Sequence, residues 1–352
     1  MKLRVWNSDD KQGGEIMLFT ELPRVKFING VSVLDRMDRL KESLGCAPIF
    51  AKRDDCISLG MGGSKVRGFE FWMGEALRLN ADVIVAAGSP ESNQCRLAAA
   101  ASAKLGIKCV ILHSAEDNSE IESNLLLSRL LGAEIHFIGC VDEIERGKIA
   151  AAFLSELRKA GHTPYLIGDP GVGTMGYISC ALELSEQAAA ENVKIKHVFL
   201  PGSMGTTETG FILGNALLGY PFNIHLISVE YSKAELAKII EEFYMIAGKN
   251  LSVDLPSLAW DTNVHIYEQY LGGGYAVPTP ESLNAIKIAA SLEGIFLENT
   301  YTSKTFAGII DLLQHDTIFK EEASCFIHTG GTPTVFSSNN PIVNILKTET
   351  KY

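Results

Sequence analysis

The chain has 352 residues, 46% apolar and 21% charged, which describes a globular protein long enough to bury the cores of two ordinary domains. Its formal net charge of −11 weighs against nucleic acid as a partner, because phosphate contacts need clustered Lys and Arg and none is visible. No run of about 18 uncharged apolar residues occurs, which excludes a membrane span.

The N-terminal "MKLRVWNSDDKQGGEIMLF" scatters its charges and has no continuous apolar core, so no secretory signal is expected. The seven cysteines (46, 56, 95, 109, 140, 180, 325) are odd in number, widely spaced and mostly within apolar runs. They read as reduced core thiols of a cytoplasmic protein. Neither they nor the eight dispersed histidines show metal-ligand spacing, so no metal site is expected.

In chain order, "LGMGGSKVRGFEFWMGEAL" (59–77) sets Lys65 directly after Gly62, Gly63 and Ser64 and at the start of a predicted helix. Taken alone, Lys65 reads as a solvated first-turn residue. "ADVIVAAG" (81–88) is a buried strand, followed by a helix over 92–106, the strand "KCVILH" and a helix around 119–131. "AEIHFIG", a long helix near 142–160 and "TPYLIG" follow. The second half continues with a helix over 174–190, "KHVFLPG", a helix over 206–218, "NIHLISVE" and a helix over 232–247. Short strands that are apolar throughout, alternating with longer helices, imply an α/β protein with parallel sheets covered on both faces. The plausible interdomain crossings lie near 55–65 and 165–172. They predict a larger domain of 1–65 and 171–352, interrupted by a smaller inserted domain of 66–170.

Ligands of open parallel sheets bind at the carboxyl ends of strands. The loops expected there are "GSPESNQ" (88–94), "GDPGVGTMG" (168–176), "PGSMGTTETG" (201–210) and "HTGGTP" (328–333). "GVGTMG" matches a dinucleotide fingerprint, but the next strand ends in Pro201 and Gly202 rather than an acid for the ribose, so tight packing is the simpler reading. In "GSMGTTETG", turn glycines and hydroxyls at a helix start suit a phosphate, or serve merely as an N-cap.

The ordered set resembles the fold type II pyridoxal-phosphate enzymes, in particular the branch of D-cysteine desulfhydrases and 1-aminocyclopropane-1-carboxylate (ACC) deaminases. It runs through "LPRVKF" (22–27), "KRDD" (52–55), "GGSKVR" (62–67), "ESNQCR" (91–96), "MGYISCALEL" (175–184), "GGGYAVP" (272–278), "LENTYTSKTFAG" (297–308) and "FIHTGGTP" (326–333). The resemblance implies a tryptophan synthase β-like fold, with two domains each built on an open, mostly parallel twisted sheet flanked by helices, and a homodimer. It implies pyridoxal 5′-phosphate as cofactor, held by the larger domain and attached covalently to Lys65. Asn93 is expected at the cofactor's 3-oxygen, and Gly202, Ser203, Met204, Gly205, Thr206 and Thr207 at its phosphate. Ser92 and Gln94 are expected at the substrate carboxylate, where a helix N-terminus favours an anion. Tyr275 and Tyr301 flank the substrate, or are buried aromatics with satisfied hydroxyls. Lys65, Ser92, Tyr275 and Tyr301 form the expected catalytic set.

Two positions separate the branches. ACC deaminases carry an acid after the second tyrosine and an apolar residue before the last Gly-Gly; here these are Thr302 and Thr329. Both threonines are expected at the cofactor, a hydroxyl there serving an unprotonated ring nitrogen. That favours elimination of a good leaving group from a small amino acid. The readings are a D-cysteine desulfhydrase-like lyase, an ACC deaminase, or a cofactor binder of altered substrate or no turnover. The last is motivated by departures from the family: Ser64 for Asn, Gly68 for a phosphate-neutralising Lys, and Glu91 for Gln.

Overall fold

The computed structural model describes residues 22–117, 120–251, 255, 257–258, 260–315, 320–338 and 340–349. The N-terminal stretch read as lacking a secretory signal lies outside them. Helix α1 (Asp38–Leu44) joins β1 (Val33–Arg36) to β2 (Ile49–Arg53), and α2 (Lys65–Arg78) follows. Then β3 (Val83–Gly88), α3 (Asn93–Leu105), β4 (Lys108–His113), α4 (Ser123–Leu130), β5 (Glu134–Phe137), α5 (Glu143–Lys159) and β6 (Pro164–Leu166) alternate. The chain continues through α6 (Pro170–Gly173), α7 (Met175–Ala190), β7 (Ile195–Gly202), α8 (Thr206–Leu217), β8 (Asn223–Ser228), α9 (Lys233–Leu251) and β9 (Val264–Tyr267). It ends with α10 (Pro280–Ile288), α11 (Thr302–Gln314), β10 (Ala323–His328) and α12 (Ile342–Glu349).

Two sheets result. One has the order β1-β2-β10-β7-β8-β9, parallel except for the antiparallel edge strand β1. The other, β5-β4-β3-β6, is parallel throughout. Central strands such as β3, β7 and β10 are almost wholly buried, which is why they read as unbroken apolar runs. The edge strand β5 is half-exposed and shorter than the run "AEIHFIG" suggests.

A short helix that the sequence did not announce, α6, occupies the loop before α7. Pro170 stands in its first turn and Asp169 caps it, accepting the Gly171 N–H at 2.8 Å. The fingerprint glycines pack helices: a Cβ on Gly173 would lie 2.2 Å from the Trp72 ring, and one on Gly176 2.2 Å from the Arg67 backbone. All seven cysteines are free, but Cys56 and Cys140 are exposed and Cys46 is only partly buried, so the core-thiol expectation holds for the other four alone. No described helix is long and apolar enough to cross a membrane.

Candidate active site

Loops leaving the carboxyl ends of β3, β7, β8 and β10 converge with the start of α2 on a cavity of 340 Å³. Lys65 reaches it through four successive left-handed residues, Gly60, Met61, Gly62 and Gly63. A side chain at Gly62 is impossible, since its Cβ would lie 2.3 Å from the Asp55 carbonyl oxygen. The turn is pinned to both neighbouring strands: Gly63 N–H donates to Asp54 O and Ser64 N–H to Thr329 O, each at 2.8 Å. The Lys65 ammonium donates to Thr206 Oγ1 at 3.1 Å. Burial lowers its pKa, with the carboxylates of Glu208 and Glu230 opposing, so its amine is more readily the neutral nucleophile than an exposed lysine's.

The cavity gathers most of the predicted residues. Ser92 caps α3, its Oγ accepting the Cys95 N–H at 3.3 Å, and Gln94, two residues on, also lines the cavity. Asn93 turns its Oδ1 inward to accept from Asn124 at 3.1 Å and Arg96 at 3.3 Å. That leaves its Nδ2 donor without a partner among the described residues. Tyr275 and Tyr301 meet hydroxyl to hydroxyl at 2.6 Å with their rings edge to face. Burial pushes both phenols above their usual pKa, and the mutual hydrogen bond lowers Tyr275 while raising Tyr301. Thr329, Ser203, Met204 and Thr207 complete the wall. Gly202, Gly205 and Thr206 are not among the lining residues, and Thr206 meets the site through its hydroxyl's contact with Lys65. Gly205 has φ 89° and packs against Ile239 and Phe243, where a Cβ would approach to 2.6 Å.

Several supporting residues carried no role in the sequence reading. Arg96, fully buried, donates to the carbonyls of Gly60 and Gly62 as well as to Asn93, so one guanidinium ties the Lys65 turn to α3. Glu298 accepts the N–H groups of Thr300, Tyr301 and Thr302 at 2.7, 2.8 and 2.6 Å, fixing the α11 start that carries Tyr301. Lys304 donates to the carbonyls of Leu271 and Gly274, both at 2.8 Å, and so anchors the loop that presents Tyr275. Each lies three or more residues from the side chain it positions. For Arg96 and Lys304 the only sequence signal was a charge inside an apolar helix, and for Glu298 a charge in the apolar loop before α11.

Three expectations change. The Thr302 hydroxyl faces Glu298 Oε1 at 3.0 Å and the Glu298 amide at 2.9 Å, because it is needed to complete the helix cap, and it does not line the cavity. Glu91 accepts from Ser337 at 3.0 Å and is not among the lining residues, so its charge reaches the cavity only as a minor influence that raises the Tyr275 phenol. Gly68 faces Trp72 and the Gly173 carbonyl, which a Cβ would approach to 3.1 and 3.3 Å, rather than the glycine cradle. Gly68→Lys is therefore expected to lower the unfolding midpoint by several degrees through overpacking and an unpaired buried amine, without tightening cofactor binding. Thermal unfolding and equilibrium dialysis check this; tighter binding at unchanged stability would show that position 68 does reach the phosphate.

Residues 25–330 match the family described as "Pyridoxal-phosphate dependent enzyme". The chain belongs to this family. D-cysteine desulfhydrase of Salmonella paratyphi B (strain ATCC BAA-1250 / SPB7) is 33% identical over 327 residues, covering 90% of this chain and 97% of the relative. D-cysteine desulfhydrase of Serratia proteamaculans (strain 568) is 31% identical, covering 90% and 96%. A crystal structure of an ACC deaminase homologue superposes with a TM-score of 0.84 at 27% identity over 93% of this chain and 97% of that one. A pyridoxal 5′-phosphate-dependent aspartate racemase, 16% identical with a TM-score of 0.62, shares the fold.

The cavity fits the family's cofactor. It offers a buried amine with a lowered pKa in Lys65, an Asn93 amide donor without a partner among the described residues, and Thr329 on the wall, a donor set of the kind an aldehyde- and pyridine-bearing cofactor needs. The N-terminus of α8, with Ser203 and Thr207 on the cavity wall, is the end of the cavity that favours a phosphate, although Ser203 N–H and Oγ already donate to Glu208 and Glu230.

Proposed function

We propose that the protein is a carbon–sulfur lyase that converts D-cysteine to pyruvate, sulfide and ammonia. The observation that carries this reading is the 33% identity to a D-cysteine desulfhydrase across nearly the full length of both chains. In this reading Ser92 and Gln94, at the N-terminus of α3, bind the substrate carboxylate, and Tyr275 and Tyr301 close over its side chain. When bound, pyridoxal phosphate supplies the electron sink for the charge that develops at Cα. Lys65 holds it in place and, once freed, is positioned to take the Cα proton, with the Ser92 and tyrosine hydroxyls as further candidates. The C–S bond breaks with its electron pair on sulfur, a tyrosine hydroxyl protonates the departing thiolate, and the released aminoacrylate takes up water to give pyruvate and ammonia.

A second reading, ACC deamination to 2-oxobutyrate, draws support from the superposition on the ACC deaminase homologue. It needs a deeper electron sink, because no thiolate leaves. The carboxylate beside Thr302, Glu298, is occupied by the amides of Thr300, Tyr301 and Thr302, which argues against it as the acid that a ring nitrogen would need. We place the domain division at 1–65 with 171–352 against 66–170, in keeping with the two separate sheets. Free cysteines, two of them exposed, support a cytoplasmic location, and the family resemblance supports a homodimer.

The test measures pyruvate, sulfide and 2-oxobutyrate from D-cysteine, L-cysteine and ACC with cofactor-saturated protein. Equal pyruvate and sulfide from D-cysteine, at least about tenfold faster than any product from ACC, is the expected result. Faster turnover of ACC hands the assignment to the second reading, and no turnover of either leaves a cofactor-binding protein of another activity.

A further inference from the structure

The cradle proposed for a phosphate already holds a carboxyl group. Glu208, in the first turn of α8, folds its carboxyl back so that Oε1 accepts the Ser203 N–H, and the amides of Gly205 and of Glu208 itself also stabilise the charged form. Glu208 is only 3% exposed, yet it lines the cavity. A second carboxylate, Glu230 beyond β8, accepts from Ser203 Oγ at 2.5 Å, so backbone and side-chain donors of the same residue are both taken.

We infer that Glu208 gates the phosphate site: a phosphate ester enters the cradle only as Glu208 takes up a proton and releases the amides it holds. Two anions cannot share those donors. A dianionic phosphate brought against a buried carboxylate meets like-charge repulsion in a low-dielectric site, whereas the neutral acid can donate its own O–H to a phosphate oxygen. The charged groups that share the cavity with Glu208 pull in both directions. From α2 comes Lys65, whose amine the family's chemistry consumes. From the end of β8 comes Glu230, and across the cavity from α5 come Glu143 and Arg146, which form a long pair at 3.8 Å. The α9 side chains against the cradle, Ile239 and Phe243, are apolar. Burial already raises the Glu208 pKa, with Lys65 as the chief opposing influence. The glycine-walled turn makes the site; Glu208 decides the protonation state in which it accepts its ligand.

The inference rests on Gly202–Thr207 being the phosphate site, and the experiment separates the two claims. Pyridoxine 5′-phosphate, which has no aldehyde and cannot join Lys65, is titrated by calorimetry into wild type and Glu208→Gln from pH 6 to pH 8.5. The ligand's own ionisation cancels in the ratio of the two dissociation constants. That ratio, wild type over variant, is expected to rise at least about tenfold across the range, since above its pKa each pH unit costs the wild type up to a factor of ten. Loss of the Lys65 charge cannot mimic this. With one acid fewer nearby, Lys65 deprotonates earlier in the variant, which lowers the ratio. Glutamine keeps an oxygen for the Ser203 N–H and should fold; Glu208→Ala serves if it does not. A ratio independent of pH overturns the gate while leaving the phosphate site intact. Absence of binding by either protein at every pH overturns both.

Discussion

Lys65→Ala is expected to abolish covalent attachment of the cofactor and to lower lyase turnover by at least about 10³-fold, the scale of loss when the residue that carries covalent chemistry is removed. The prediction follows from position. Lys65 is the cavity's lysine, its pKa is lowered by burial, and its contact is the Thr206 hydroxyl at 3.1 Å rather than a carboxylate that would hold it as an ion pair. Borohydride reduction of the cofactor-loaded wild type followed by peptide mapping should label Lys65, and the variant should show no label. Label on another lysine, such as the buried Lys52 or Lys304, or turnover within tenfold of wild type, would remove Lys65 from its role. Circular dichroism of the variant checks that the loss is chemical rather than structural.

Asp54→Asn should destabilise the protein by about 3–5 kcal/mol, the scale for breaking a fully buried ion pair. Asp54 and Arg67 are both 0% exposed and joined twice, Nε to Oδ2 and Nη2 to Oδ1, each at 2.8 Å. The same carboxylate accepts from Tyr177 and Ser32, both at 2.7 Å, while Arg67 also reaches Glu183, which Lys52 neutralises at 2.9 Å. The amide would leave the guanidinium buried with Glu183 as its remaining counter-charge. Because Arg67 follows Lys65 by two residues, the turn that presents Lys65 should loosen as well. Burial works against the Asp54 charge, but Arg67 outweighs it and holds the carboxyl below its usual pKa of 3.8. The stabilisation is therefore present above that value and disappears as the pH falls through the lower, folded-state pKa. Urea unfolding of wild type and variant at neutral pH measures the loss, and a difference under about 1 kcal/mol would show that the network contributes little. Arg67→Met added to Asp54→Asn should recover part of the loss, since it removes the stranded charge.

Much of the scaffold was legible because its signals are local. Strands β3, β4, β7 and β8 sit within runs of buried apolar residues, and helices α3 and α8 begin where Ser92 and the Gly205 turn place their starts. The Lys65 turn was legible because left-handed backbone and close approach demand glycine wherever they occur. The loop that carries Asn93 and Gln94 was legible because ligands of open parallel sheets bind at the strands' carboxyl ends, while the roles of the two residues came from the family resemblance.

The charges were not legible. A Gly at 68 and a Glu at 91 looked like a lost cation and a gained anion at the phosphate, but local spacing does not say which way a residue faces once two sheets and their helices pack. Packing turned Gly68 toward Trp72 and paired Glu91 with Ser337. It buried Glu208 inside the cradle instead, and it matched Asp54 with Arg67, Arg96 with the Lys65 turn and Lys304 with the Tyr275 loop. By itself the sequence determined the α/β layering and the order of the site's loops, because hydrophobic periodicity and glycine geometry act over a few residues. Which charges meet at the site only the tertiary structure decided, because a buried charge is settled by partners brought from tens or hundreds of residues away.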